Sequence, residues 1–195
     1  MYRNADEWLS SLREPIVVIG NGPMAPLVET AHGSVIRFNN FELNEVAGFR
    51  VTHWVTSGYK DIEARPLPCA LVPWSEGSAA AKHCRAFVQR TKRRLLFTAH
   101  NAHILRWFPQ AEQSFRFFPS TGFCLLALLW YHQLFPRVAG FNGLKDGHYW
   151  NPAHAHAHQL TAPREIAIIR QQITSHPYEQ PRKSNRTKKA VAGVA

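Results

Sequence analysis

Residues 15–40 read PIVVIGNGPMAPLVETAHGSVIRFNN, and this stretch decides the fold. Ile16-Val17-Val18-Ile19 is an uninterrupted β-branched run, the composition of a strand buried on both faces. Gly20-Asn21-Gly22-Pro23 follows at once. Glycines let the backbone turn sharply and approach a ligand closely, and Pro23 pre-sets φ for the first turn of a helix. Leu27 and Val28 continue as a short helix that ends at His32-Gly33, and Ser34-Val35-Ile36-Arg37-Phe38-Asn39 reads as a second strand. Such a unit predicts a parallel α/β sheet. Ligands of these sheets sit at the carboxyl ends of the strands, which places Gly20, Asn21, Gly22 and Asn39 on one edge. GNGP is not the dinucleotide fingerprint, since no G-x-G-x-x-G follows, and a glycine turn after a strand is common in α/β proteins. The amides of Asn21, Asn39 and Asn40 can hydrogen-bond phosphate and ribose, and Arg37 can pair a phosphate or a carboxylate bidentately.

Outward from this unit the chain alternates elements. Ala5 to Arg13 has the composition of a short helix. Phe49 to Val55 alternates as a half-buried strand, and Leu67 to Val72 is a further short apolar run. Ser78 to Arg90 is helical in composition, and Arg93 to Thr98 is strand-like. Phe123 to Trp130 predicts a buried helix from its length and lack of β-branching. Val138 to Phe141 is strand-like, and His148-Tyr149-Trp150 with His154, His156 and His158 falls in a polar loop. Ala162 to Ile173 predicts a helix with Ile166, Ile169, Gln172 and Ile173 near one face. The expected architecture is one Rossmann-like α/β domain, a mostly parallel central sheet flanked by helices, over residues 1–175. Residues 176–195, rich in Pro, Lys, Arg and Ser, are expected to form a basic, disordered tail.

The 195 residues carry a formal net charge of +10, much of it in Arg90 to Arg94 and Arg182 to Lys189. That balance favours an anionic partner: a nucleic acid, an acidic membrane face or a nucleotide sugar. No apolar run approaches the ~20 residues of a membrane helix. Met1 to Arg13 lacks the apolar core of a signal peptide. Cys69, Cys84 and Cys124 are odd in number and form no CxxC pair, which points to reduced thiols and a cytoplasmic setting.

Taken in order, these segments resemble the animal-type sialyltransferases, glycosyltransferase family 29. Val17 to Pro23 with Val35 to Asn39 is similar to the family's large motif, continued by Val46 to Thr52. Pro119-Ser120-Thr121-Gly122, ending at Gly140-Phe141, resembles the small motif. His148-Tyr149-Trp150 resembles the third, and a histidine followed by Glu165 the last. The likeness spans roughly residues 16–170, with a wider interval between His158 and Glu165 than the family shows. Ile16 and Gln133 stand where family members carry the cysteines that join the large and small motifs.

The resemblance implies a GT-A-like variant of the fold and inverting transfer of a sialic-acid-type sugar from a CMP donor to a glycan hydroxyl. It also implies donor contacts from Gly20, Asn21, Gly22, Asn39, Ser120, Thr121, Gly122 and Tyr149. The acceptor must lose a proton as it attacks, and a histidine has the pKa for that. His158 is the candidate base, with His154 and His156 behind it, and His148 is the candidate for stabilising the departing phosphate. The N-terminal dipole of the helix starting near Gly122 would assist. Asp6, Asp61 and Asp146 are the chain's aspartates and none forms DxD, so a metal-independent reaction with no cofactor is expected. Bland readings stand beside these. His154-x-His156-x-His158 also suits an inert loop or a zinc site. Ser120 or Thr121 suits a helix cap, and Glu165 a first-turn carboxylate or an orienting partner of the histidine loop. CMP-Kdo as donor, a donor-binding pseudoenzyme, and a basic nucleic-acid-binding protein remain open. A lipid-linked or other glycan acceptor and a peripheral contact at the anionic inner membrane face complete the expectations.

Overall fold

β1 (Ile16–Ile19) is buried at every position, as its β-branched run requires. The computed structural model describes residues 5–24, 31–58, 62, 63, 65, 67, 69–71, 79–92, 102–112, 117–142, 147, 148 and 160–177. Beside β1 lie β2 (Ser34–Phe38) and, on its other side, β5 (Arg137–Ala139). β3 (His53–Thr56) and β4 (Cys69–Leu71) continue outward from β2, so the five-stranded order is β4-β3-β2-β1-β5. Every pairing is parallel. The fold is α/β. Its helices are α1 (Ala5–Ser10), α2 (Ala79–Thr91), α3 (Ala102–Leu105), α4 (Thr121–Tyr131) and α5 (Ala162–Ser175).

Alternation along the strands divides the core in two. Ile16, Val18, Ile36, Phe38 and Val55 face α4, together with Trp8 of α1 and Ile168 and Ile169 of α5. α4 is apolar on all sides and buried from Thr121 to Trp130, which is how a helix enclosed by protein reads. On the opposite face Trp54 packs with Phe41, Ile62 and Phe87 of α2, and Val17, Ile19 and Val35 form a smaller cluster. Trp54 and Trp130 are core residues; Trp74 lies outside the described residues. Among the described residues no helix is long and apolar enough to cross a membrane.

Two sequence expectations are corrected here. The strand expected over residues 49–55 begins only at His53, because the chain before it folds as a turn. Asn44 Oδ1 accepts from the amides of Val46 and Ala47, at 3.1 and 2.8 Å, and Gly48 N donates back to Asn44 O at 2.7 Å. Arg37 is not at the ligand edge. It is 1% exposed, and its guanidinium donates to the carbonyls of Ala47, Gly48 and Arg50, fastening that turn to the sheet. The helix expected at Leu27 and Val28 and the strand at 93–98 lie outside the described residues.

Candidate functional site

β2, β3 and β4 lie to one side of β1 and β5 to the other, so the strand order reverses between β1 and β5. The carboxyl ends of two strands at such a reversal leave a crevice between their loops, the common ligand position of open parallel sheets. Here the two loops are Gly20-Asn21-Gly22-Pro23 and Gly140-Phe141-Asn142. They are tied by Gly20 N to Ala139 O at 2.8 Å and Gly22 N to Gly140 O at 2.9 Å. A Cβ on Gly20 would overlap the Gly140 carbonyl oxygen, and one on Gly22 would overlap the Asn142 side chain. Gly140 itself has φ +70. The close approach that the sequence predicts for these glycines is made by the chain's own backbone.

The two asparagines are also engaged internally. Asn21 Nδ2 donates to the carbonyls of Phe38 (3.3 Å) and Asn40 (3.1 Å), joining the end of β1 to the end of β2. Asn39 adopts φ +48, a left-handed conformation that asparagine tolerates better than most residues. Its Oδ1 accepts from Ser57 N at 2.9 Å, and its carbonyl accepts from Trp54 Nε1 at 2.7 Å, joining β2 to β3. Both residues thus shape the carboxyl edge they were expected to occupy.

α4 starts at this same edge. A Cβ on Gly122 would lie 2.6 Å from Cε1 of Phe141, and the chain reaches the amino end of β5 only after α4 has finished. Ser120 caps the helix, accepting from Phe123 N at 3.2 Å. The same hydroxyl donates to Glu165 Oε2 at 2.6 Å, and Ser120 N donates to Glu165 Oε1 at 2.8 Å. Glu165 lies in the first turn of α5, yet its carboxylate reaches across to the N-terminus of α4, with Thr161 at the start of its own helix as a further partner. The carboxyl group at the N-terminus of α4 is therefore supplied from within the chain, beside Thr121 and Gly122. Burial raises the Glu165 pKa from its ordinary value of 4.5, and the Ser120 bonds oppose that rise. Burial, with Glu165 adding, also pushes the Cys124 thiol up.

A pKa raised on folding means that the stabilisation is complete below pH 4.5 and is lost as pH climbs through the folded value. Glu165→Gln keeps an acceptor for Ser120 N and a polar partner for its hydroxyl while removing the charge. Chemical denaturation across pH 5–8 should show the wild type losing stability relative to Glu165→Gln as pH rises. Glu165→Ala, which strands both Ser120 groups, should cost about 2–3 kcal/mol. Parallel pH profiles for wild type and the glutamine variant would count against a buried, titrating carboxylate.

Next to the crevice a cleft of about 420 Å³ opens between the ends of β1 and β5 and the flank of α5. Met24, Gly140, Asn142, Ile166, Ile169 and Arg170 are among its lining. Arg170 is exposed and supplies a cation to a largely apolar wall. Sequence reading singled out Ile166, Ile169 and Ile173 as one face but passed over Arg170 and Asn142. The available signals were an arginine one residue on from Ile169 and an asparagine two beyond Gly140.

No family model, characterised protein or solved structure matches this chain.

The remaining candidates divide by position. His148 is half-buried. Tyr149, His154, His156 and His158 lie outside the described residues. His53 opens β3, at the amino end of the sheet away from the crevice, where burial lowers its pKa to about 4. Among the described residues no group of three or more His, Cys, Asp or Glu side chains is placed to hold a metal.

Proposed function

We propose that the chain is a glycosyltransferase of Rossmann-like, GT-A-like build that moves a sialic-acid-type sugar from a CMP donor to a glycan hydroxyl, with inversion and without a metal. One observation carries the reading. The segments that resemble the large and small sialyltransferase motifs, distant in sequence, converge at the β1/β5 reversal: Gly20 and Gly22 pack on Gly140, and Gly122 packs on Phe141. Convergence of that kind is what a donor site built from both motifs needs. The cytidine and phosphate would meet the rim formed by Asn21, Asn39 and Thr121. His148 would stabilise the leaving phosphate, and His158 would take the acceptor proton. A CMP-Kdo donor presents the same carboxylate and nucleotide and suits the reading equally.

A second reading has its own support. Asn21, Asn39 and Ser120, the expected donor contacts, already spend side-chain bonds on neighbours, which favours motifs that serve the fold and no longer support transfer. Calorimetric titration with CMP, CDP and NAD in EDTA tests both. CMP should bind selectively, with Kd between about 1 μM and 1 mM, the range of ordinary substrates. Turnover of a CMP-sugar then separates enzyme from pseudoenzyme. Absence of heat with CMP would remove the donor site altogether and advance the nucleic-acid reading, whose mark is steeply salt-dependent DNA or RNA binding.

A further inference from the structure

The cleft beside the crevice does not end at Arg170. A second hollow of about 200 Å³ follows it along α5, and both share Val138 and Ile173 as walls. Together they make a groove that starts at Met24 and Asn142, at the carboxyl edge, and ends where Phe135 stacks on His176 at 3.7 Å. From Arg170 to His176 a helix advances about 9 Å, the reach of roughly seven methylenes. Ile166, Ile169 and Ile173 give the α5 side an aliphatic stripe, and Ile173 is 44% exposed. Across from it stand Val138, Pro136 and Trp130. The charged groups among the described lining are the arginines Arg137 and Arg170; no described carboxylate lines it.

We infer that this groove binds a single-chain lipid phosphate, its phosphate at Arg170 and its hydrocarbon running past Ile173 towards Phe135 and His176. An apolar trough with cationic groups and no described acid matches a hydrocarbon that carries an anionic head, since the chain gains by leaving water and the phosphate by meeting a guanidinium. The inference rests on the proposed transfer reaction in one respect. It makes the lipid phosphate the carrier of the acceptor sugar, entering from the β5 side while the donor lies over β1 and β2.

Dodecyl phosphate below its micelle concentration is the probe, titrated by calorimetry and by tryptophan fluorescence, for which Trp130 is a reporter in the wall. Wild type should bind it, whereas inorganic phosphate alone should give no comparable signal. Ile173→Glu, at a position 44% exposed, should weaken binding by about tenfold or more, with an unchanged melting point as the check on folding. Arg170→Glu should weaken dodecyl phosphate similarly and leave an uncharged dodecyl detergent unaffected. No binding, equal binding by Ile173→Glu, or equal binding of inorganic phosphate would overturn the inference. So would a sedimenting dimer that Ile173→Glu dissociates, since the groove would then hold a second copy. A CMP titration of the same variants keeps the two claims apart. CMP binding without dodecyl phosphate binding defeats the groove alone, and the converse defeats the donor site alone.

Discussion

Gly20→Ala is expected to lower stability by about 2–4 kcal/mol and to abolish any ligand binding at the β1/β5 crevice. The added methyl would overlap the Gly140 carbonyl oxygen and lie 2.9 Å from both the Gly140 carbonyl carbon and Cδ2 of Phe141. Two of those atoms are backbone and cannot rotate aside. Relief requires β5 to move off β1, which breaks the bonds from Gly20 N to Ala139 O and from Gly22 N to Gly140 O. In a chain of this length such a loss corresponds to a fall in Tm on the order of 5–15 °C. Gly122→Ala provides the contrast, because its methyl meets only the ring of Phe141, a side chain able to swing. Thermal melts of the two variants should therefore differ, with Gly20→Ala the worse. Equal costs, or a Gly20→Ala protein melting with the wild type, would mean that the two loops are not in backbone contact.

The same residues show what was legible in the sequence. The run Ile16–Ile19 declares a doubly buried parallel strand by composition alone, and the glycines after it declare close approach. Composition likewise marks α4, and Ser120 fills the cap that its position before an apolar helix suggests. These are local properties, fixed by neighbours a few residues away. What approaches the glycines is not local: Gly140 is distant in sequence, and no propensity points to it. Glu165 and Ser120 are 45 residues apart, so the carboxylate looked like a dipole partner for its own helix. Arg37 failed for the complementary reason. An arginine at a strand end beside asparagines reads as a phosphate ligand until the carbonyls of Ala47, Gly48 and Arg50 occupy its donors. The residues read most sharply for function are thus also structural fasteners, and a test of function at Asn21, Asn39 or Ser120 has to be paired with a measurement of folding.

Arg37→Met is expected to be among the most damaging single changes on the other face of the sheet, costing about 3 kcal/mol or more. Arg37 pairs in register with Ile19 and Trp54 and is 1% exposed, and its guanidinium lies over Phe41 at 5.5 Å. Nε reaches Arg50 O at 3.0 Å and Nη2 reaches Gly48 O at 3.0 Å. Methionine fills comparable volume but donates nothing, so these carbonyls lose their partner on the buried side. Arg37→Lys should not restore stability, because one ammonium cannot reproduce the planar fork that serves Arg50 and Gly48 together. Arg50 in turn holds the carbonyls of His32 and Gly33 at 3.1 Å each, so loosening the turn also loosens the entry to β2. Phe49, 61% exposed on that turn, supplies a reporter. Chymotrypsin should cut there slowly in the wild type and much faster in Arg37→Met, ahead of global unfolding. Cleavage at the wild-type rate, together with an unchanged denaturation midpoint, would show that the turn holds its shape without Arg37. If the turn does depend on Arg37, Asn39 and Asn40 lose the anchored segment that follows them. Weaker CMP binding in Arg37→Met would then arise with no loss of a ligand contact.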